Sequence, residues 1–388
     1  MTYRPGRHFL QIPGPTNVPD RVLRAIDHAT IDHRSGDFAE LGRACLDGMK
    51  SIFQTLGPVV IFPSSGTGAW EAALVNTLSA GDKVLAFETG HFATLWVKMA
   101  RNLGLIVDVI PGDWRHGADP ARLEERLTAD ASHEINAVMV VHNETSTGTT
   151  SDIPAVRRAI DASRHPALLL VDTISSLACI DYRHQEWGVD VTVGGSQKGL
   201  MLPPGLGFNA IGAKAIEASK KSNLPKSFFQ WADMLEANAK GFFPYTPSTN
   251  LLYGLREALQ MLEEEGLPNV FRRHTRLAEA TRRAARAWGL EMVPLVCAEY
   301  SNSLTALFVP AGFNEAALRA LILERFNMSL GAGLGKLAGR AFRIGHLGDF
   351  SELMLAGTLA GVEMGLELAG IPHGKGGVDA ALQYLVEA

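Results

Sequence analysis

Four short segments hold side chains that could do chemistry together. In Val193-Gly194-Gly195-Ser196-Gln197-Lys198-Gly199, one lysine stands among small residues directly after an apolar run. An amine in a desolvated or cationic site sheds its proton near neutral pH, which makes Lys198 a candidate for Schiff-base formation. The plainer alternative is a surface lysine in a glycine-rich turn. Asp172 closes the run Ala167-Leu168-Leu169-Leu170-Val171. A carboxylate at the lip of a buried strand is costly unless paired. It either caps the next turn or holds a protonated pyridine nitrogen, keeping that ring an electron sink. Phe62-Pro63-Ser64-Ser65-Gly66-Thr67-Gly68 follows an apolar run and opens a helical pattern. Its hydroxyls, glycines and free helix N–H groups make a phosphate cup, or only a helix cap and a tight turn. His142-Asn143-Glu144-Thr145-Ser146-Thr147-Gly148 is a polar strand end that could bind a ring hydroxyl or a phosphate.

Several other chemistries fail on spacing. Gly66 and Gly68 are followed by Glu71, where the dinucleotide fingerprint requires glycine. Around Gly335-Lys336, Leu330 and Leu337 replace the glycine and the hydroxyl of a P-loop. Two residues after Ser196 stands Lys198, so no serine elbow forms. What remains is a phosphate cup, an acid and a lysine on successive strand ends. That combination is what pyridoxal phosphate needs. No metal site is expected.

The elements that must hold these segments alternate along the chain. Short apolar runs at 59–62, 84–87, 105–110, 137–141, 167–171, 189–193 and 206–211 read as buried parallel strands. Amphipathic stretches at 69–78, 93–103 and 153–162 lie between some of them. This is an α/β pattern with a mostly parallel seven-stranded sheet, whose ligands bind beyond the carboxyl ends of the strands. Long helices are predicted at 251–265 and 269–288. A strand at 304–309, a helix at 315–326, short strands at 328–330 and 341–344 and a final helix at 351–368 follow. They suggest a smaller α+β unit. The expected division is an N-terminal arm at 1–20, a large cofactor-binding domain at 21–265 and a small domain at 266–388. Three prolines between Pro13 and Pro19 make part of the arm irregular.

The net charge of the 388 residues is -5, which favours neither nucleic acid nor an anionic membrane as partner. Cys45, Cys179 and Cys297 are far apart and form no CxxC, so a reduced, cytoplasmic setting is expected. Neither a signal-peptide core nor a membrane-spanning apolar stretch is visible.

The chain resembles the class V aminotransferases of fold type I, and among them the serine–glyoxylate and alanine–glyoxylate members. The resemblance rests on Gly195-Ser196-Gln197-Lys198-Gly199-Leu200-Met201-Leu202-Pro203-Pro204-Gly205-Leu206-Gly207, on Ala341-Phe342-Arg343-Ile344-Gly345-His346 and on Pro244-Tyr245-Thr246-Pro247. It implies that Lys198 carries pyridoxal phosphate and moves the proton, and that Asp172 pairs with the pyridinium nitrogen. It implies that Ser65, Gly66, Thr67 and Gln197 hold the phosphate, that Thr145 lies near the ring hydroxyl and that Phe92 stacks on the ring. Arg343 would clamp the substrate α-carboxylate through its bidentate fork. Tyr245 and Thr249 would reach the phosphate of a neighbouring subunit, giving a homodimer with shared active sites. The substrates would be small amino and oxo acids.

Two other activities compete. A cysteine desulfurase would need a thiol before the arginine, and residues 331–342 hold no cysteine. A nucleotide-dependent oxidoreductase fails both glycine fingerprints. The amino donor stays open among serine, aspartate and alanine, with serine favoured. A second carboxylate on the donor would need a second cation. Arg34 is the candidate, with His28, His33 and His346 as weaker ones; Arg34 otherwise forms a structural ion pair with Asp32 or Asp37.

Overall fold

The apolar runs form strands close to the predicted positions. The computed structural model describes residues 6–387. Within them lie β1 (Phe9–Gln11), β2 (Val59–Phe62), β3 (Lys83–Phe87), β4 (Ile106–Ile110), β5 (Ile135–Val141), β6 (Asn143–Glu144) and β7 (Thr149–Thr150). They continue with β8 (Leu168–Asp172), β9 (Val191–Gly195), β10 (Gly207–Ile211), β11 (Leu304–Phe308), β12 (Met328–Ala332) and β13 (Ala341–Gly345).

Seven strands make one sheet in the order β2-β10-β9-β8-β5-β3-β4. β10 runs antiparallel to both β2 and β9, while β9, β8, β5, β3 and β4 are mutually parallel. The sheet is therefore α/β and mostly parallel, as the alternating pattern requires. Its central strands are mostly apolar because both faces are covered. Helices Gly66–Thr77 and His91–Asn102 pack over one face. Helices Pro120–Ala129 and Ile153–Ala162 pack over the other. The register sets Val141 opposite Asp172 and Asp172 opposite Val193. β5 and β8 thus finish level, β9 runs on to Gly195, and all three open their loops at the same end of the sheet.

The second sheet has the order β1-β12-β13-β11. Its first strand comes from the N-terminus: β1 pairs parallel with β12, Phe9 opposite Met328. The sequence pattern did not indicate that strand, because three residues are too few to show a period. It also did not indicate the helix Gly36–Phe53, or the helix Gly377–Glu387 beyond the one expected to be last. No helix among the described residues is long and apolar enough to cross a membrane.

Candidate active site

Lys198 lies in the turn after β9, and its side chain is buried. The ammonium donates to the carbonyl of Pro13 in the N-terminal arm. Thr16 ties the same arm to the lysine loop: its N–H donates to Gln197 O at 3.2 Å and its hydroxyl to Lys198 O at 3.2 Å. Burial pushes the Lys198 pKa down to about 7; the Arg343 cation pushes the same way and the Asp172 carboxylate opposes both. The surface-lysine reading is therefore set aside by burial. The amine is poised between its two protonation states.

Asp172 ends β8 and is buried. Oδ1 accepts the Ile174 N–H at 2.6 Å, so the carboxylate does cap its following turn. Oδ2 accepts the indole Nε1–H of Trp70 at 3.1 Å. Burial pushes its pKa up to about 7, and the Glu144 charge adds to the rise; the two donors and Lys198 resist it. A cation placed against this carboxylate would stabilise its ionised form.

The predicted cup sits at the N-terminus of helix Gly66–Thr77. The N-cap residue, Ser65, makes no side-chain cap bond. The first-turn N–H groups have no acceptor in their own helix. Gly195 leaves room here: a Cβ on it would lie 3.3 Å from Gln197 Oε1 and 3.4 Å from Gly66 N. Gln197 Oε1 is itself buried without a partner. Such an orphan costs on the order of 1–3 kcal/mol. Turned about its terminal bond, the amide presents an N–H to the same cradle, beside the Gly66 N–H. Donors, lysine and acid fit a cofactor that carries a phosphate, an aldehyde and a basic ring nitrogen.

The loop after β5 joins this site to the second sheet. Thr145 is buried, and its hydroxyl donates to Ser175 Oγ at 2.7 Å. The Thr145 carbonyl accepts Arg343 Nη1 at 2.8 Å, and Ala332 O accepts Arg343 Nε at 2.8 Å. Burial pushes the pKa of Arg343 down to about 10, with the Glu144 charge opposing, so it is cationic at neutral pH. Glu144 itself is buried and accepts from the N–H groups of Phe92 at 3.3 Å and Ala93 at 3.0 Å. Ser146 also donates to it, through N at 3.0 Å and Oγ at 2.7 Å. The loop thus caps the helix His91–Asn102, which carries Phe92.

Other expected residues stand apart. Tyr245 stacks on Phe228 at 4.2 Å, and its buried hydroxyl has no hydrogen-bond partner. Thr249 opens the helix Thr249–Glu265 and is buried. Arg34 is exposed. Its expected ion pair with Asp32 or Asp37 does not form among the described residues; Asp32 accepts the Arg34 backbone N–H at 2.9 Å instead. His28 stacks on Tyr253 at 4.0 Å, and His346 is fully buried against Thr305 at 3.0 Å. Trp70 and the Pro13 carbonyl also meet the candidate residues, although sequence reasoning assigned them no role; Glu144 lies in the polar strand end already singled out. Neither Trp70 nor the Pro13 carbonyl carries a local signal: an indole inside a helix reads as core, and a backbone carbonyl has no side-chain signature.

Fold and site together define a pyridoxal-phosphate-dependent enzyme of fold type I. Comparison with known proteins makes the class narrower. The class V aminotransferase family model matches residues 8–334. The chain belongs to that family and is a pyridoxal-phosphate-dependent transaminase. It is 50% identical to a serine–glyoxylate aminotransferase of Methylorubrum extorquens, covering 100% of this chain and 98% of the relative. It is 46% identical to an L-aspartate–glyoxylate aminotransferase of Paracoccus denitrificans, over 96% and 95% of the two chains. The crystal structure of pyridoxamine–pyruvate aminotransferase from Mesorhizobium loti superposes with a TM-score of 0.92 at 27% identity, covering 100% of both chains.

Proposed function

We propose that this chain moves the amino group of an L-amino acid to glyoxylate, giving glycine and an oxo acid, with serine as the preferred donor. The observation that carries the chemistry is Lys198, buried, poised between its charged and neutral forms and acted on by Asp172 and Arg343. The acceptor is supported by the two glyoxylate-using relatives at 50% and 46% identity.

Pyridoxal phosphate, when bound, supplies an aldehyde for amines to condense with and a ring that accepts the electron pair left at the substrate Cα. The chain does the rest. Ser65, Gly66, Thr67 and Gln197 hold the phosphate. Asp172 would keep the ring nitrogen protonated, Phe92 would cover the ring and Thr145 would lie by its hydroxyl. Lys198 would hold the aldehyde, and its amine would carry the proton away from Cα. Arg343 binds the α-carboxylate and so aims the Cα–H bond at that amine. Tyr245 and Thr249 act across a two-fold homodimer, and the enzyme is cytoplasmic. The arm at 1–20, the large domain at 21–265 and the small domain at 266–388 are the units of this reading.

The charge around Arg343 supports serine. Of the cations that bear on Arg343, Lys198 is the cofactor lysine and Arg319 is already paired with Glu315 at 2.5 Å. A second donor carboxylate would then depend on Arg34. The test is kcat/KM for serine, aspartate and alanine against glyoxylate. Serine should rank first; an aspartate advantage above about tenfold sinks the serine choice. If Arg34→Ala then removes aspartate activity alone, Arg34 binds the second carboxylate; an equal fall for all donors makes it structural.

A further inference from the structure

We propose that Trp70 is a positioning residue for transamination, its indole N–H fixing the Asp172 carboxylate for the cofactor's ring nitrogen. This deepens the proposed role of Asp172 and rests on it.

Trp70 stands four residues after Gly66, about one helical turn behind the cup. It is buried, and its Nε1–H meets Asp172 Oδ2 at 3.1 Å, across 102 residues of sequence. The other carboxylate oxygen takes the Ile174 N–H at 2.6 Å. The two oxygens are thus held by donors from different elements, which fixes the plane of the carboxylate. One donor comes from its own strand end. The other comes from the helix whose N-terminus forms the cup. A single rigid helix therefore sets two anchor points of one ligand, and their separation cannot drift. The donor also matters for charge. Burial works against the ionised carboxylate, and a hydrogen bond to the charged form works for it.

The neighbouring indole provides an internal control. Trp96 stacks on Trp70 at 5.8 Å with an interplanar angle of 14°, and it is as deeply buried. Its Nε1 has no hydrogen-bond partner. If Trp70 were only packing, the two residues would be interchangeable in effect. If the N–H matters, they differ.

The experiment compares the holoenzymes of Trp70→Phe, Trp96→Phe, Asp172→Asn and the Trp70→Phe/Asp172→Asn double variant. It reads kcat, donor KM, the dissociation constant of pyridoxal phosphate from the apo-protein, and Tm. Trp70→Phe should lower kcat by roughly tenfold and weaken cofactor binding, with donor KM changed by less than about threefold. Trp96→Phe should lower Tm as much and leave kcat within about twofold. In the Asp172→Asn background, Trp70→Phe should slow kcat little further, because its partner's charge is already gone. Equal kcat for Trp70→Phe and Trp96→Phe overturns the inference, as does a fully multiplicative double variant. If Asp172→Asn alone turns over normally, the Asp172 reading falls and takes this one with it. That outcome differs from a slow Asp172→Asn beside a normal Trp70→Phe, which removes Trp70 only. Should Trp70→Phe fail to fold, 3-benzothienylalanine at position 70 keeps the ring shape without the N–H and is judged by the same outcomes.

Discussion

Burial moves the Lys198 amine and the Asp172 carboxyl in opposite directions to the same place, about 7 for each. Capture of pyridoxal phosphate needs the neutral amine as nucleophile and the ionised carboxylate as partner for a pyridinium. Both forms gain population as pH rises. The lysine and the acid each lose their proton across the same range, centred on about 7. The Arg343 cation helps empty the lysine and the Glu144 anion delays the acid, so the two effects partly offset. The rate of cofactor capture by the apo-protein should therefore rise steeply with pH through about 7 and level off above it. Stopped-flow absorbance in the near-visible measures this; a rate that is flat or falls over that range contradicts the assignment. Borohydride reduction and peptide mapping should then place the cofactor on Lys198, and Lys198→Ala should keep its fold without a near-visible band. These two residues were legible because a charged group at the end of a buried strand is conspicuous in sequence. Trp70 was not, since an indole inside a helix looks like core until its partner 102 residues away is known.

At the level of elements, the site depends on how the helix His91–Asn102 begins. Its N-cap is Gly90, which offers no side-chain cap. The cap comes from the loop after β5: Ser146 Oγ accepts the His91 N–H at 2.9 Å, and Glu144 accepts from Phe92 and Ala93. A Cβ on Gly90 would fall on the Glu144 side chain and 2.6 Å from Ser146 Oγ. Gly90 is needed for this close approach, since its φ of 170° is extended backbone open to any residue. Gly90→Ala should displace Glu144 and leave a buried carboxylate and three helix N–H groups badly met. The expected loss of stability is about 1–3 kcal/mol, with weaker cofactor binding because Phe92 rides on that turn. Urea unfolding of the apo-protein and cofactor titration measure the two effects. Unchanged values for both would show that the loop does not brace the helix. The helices Ile153–Ala162 and Glu315–Phe326 were readable in place, from their apolar pattern. The strand Phe9–Gln11 was not, because pairing with β12 alone makes it a strand. Cross-capping of one element by another has no local signature at all.

At the scale of the whole molecule, the proposed site draws on both sheets and on the arm. Lys198 and Asp172 come from the seven-stranded sheet, Arg343 from the four-stranded one, and Pro13 lies against the lysine. Tyr245, like Gln197, has a polar atom buried without a partner in its own chain, and its ring is held by Phe228. In the homodimer reading, that hydroxyl completes the phosphate site of a second subunit. Complementation follows from two-fold symmetry. Lys198→Ala and Tyr245→Ala homodimers are each impaired at both sites. In a hybrid dimer, the site built on the intact Lys198 receives an intact Tyr245 from the other subunit, and the second site lacks both. Random exchange makes about half the dimers hybrid, each with one good site, so activity per chain should reach about a quarter of the wild-type value. If Tyr245 instead serves its own chain, every hybrid site lacks one residue or the other. Activity after exchange would then stay at the mean of the two parents. Exchange itself is verified by co-purification of two differently tagged chains. Recovery to about a quarter supports shared sites. No recovery in a verified hybrid, or full activity in a preparation shown by sedimentation to be monomeric, removes them.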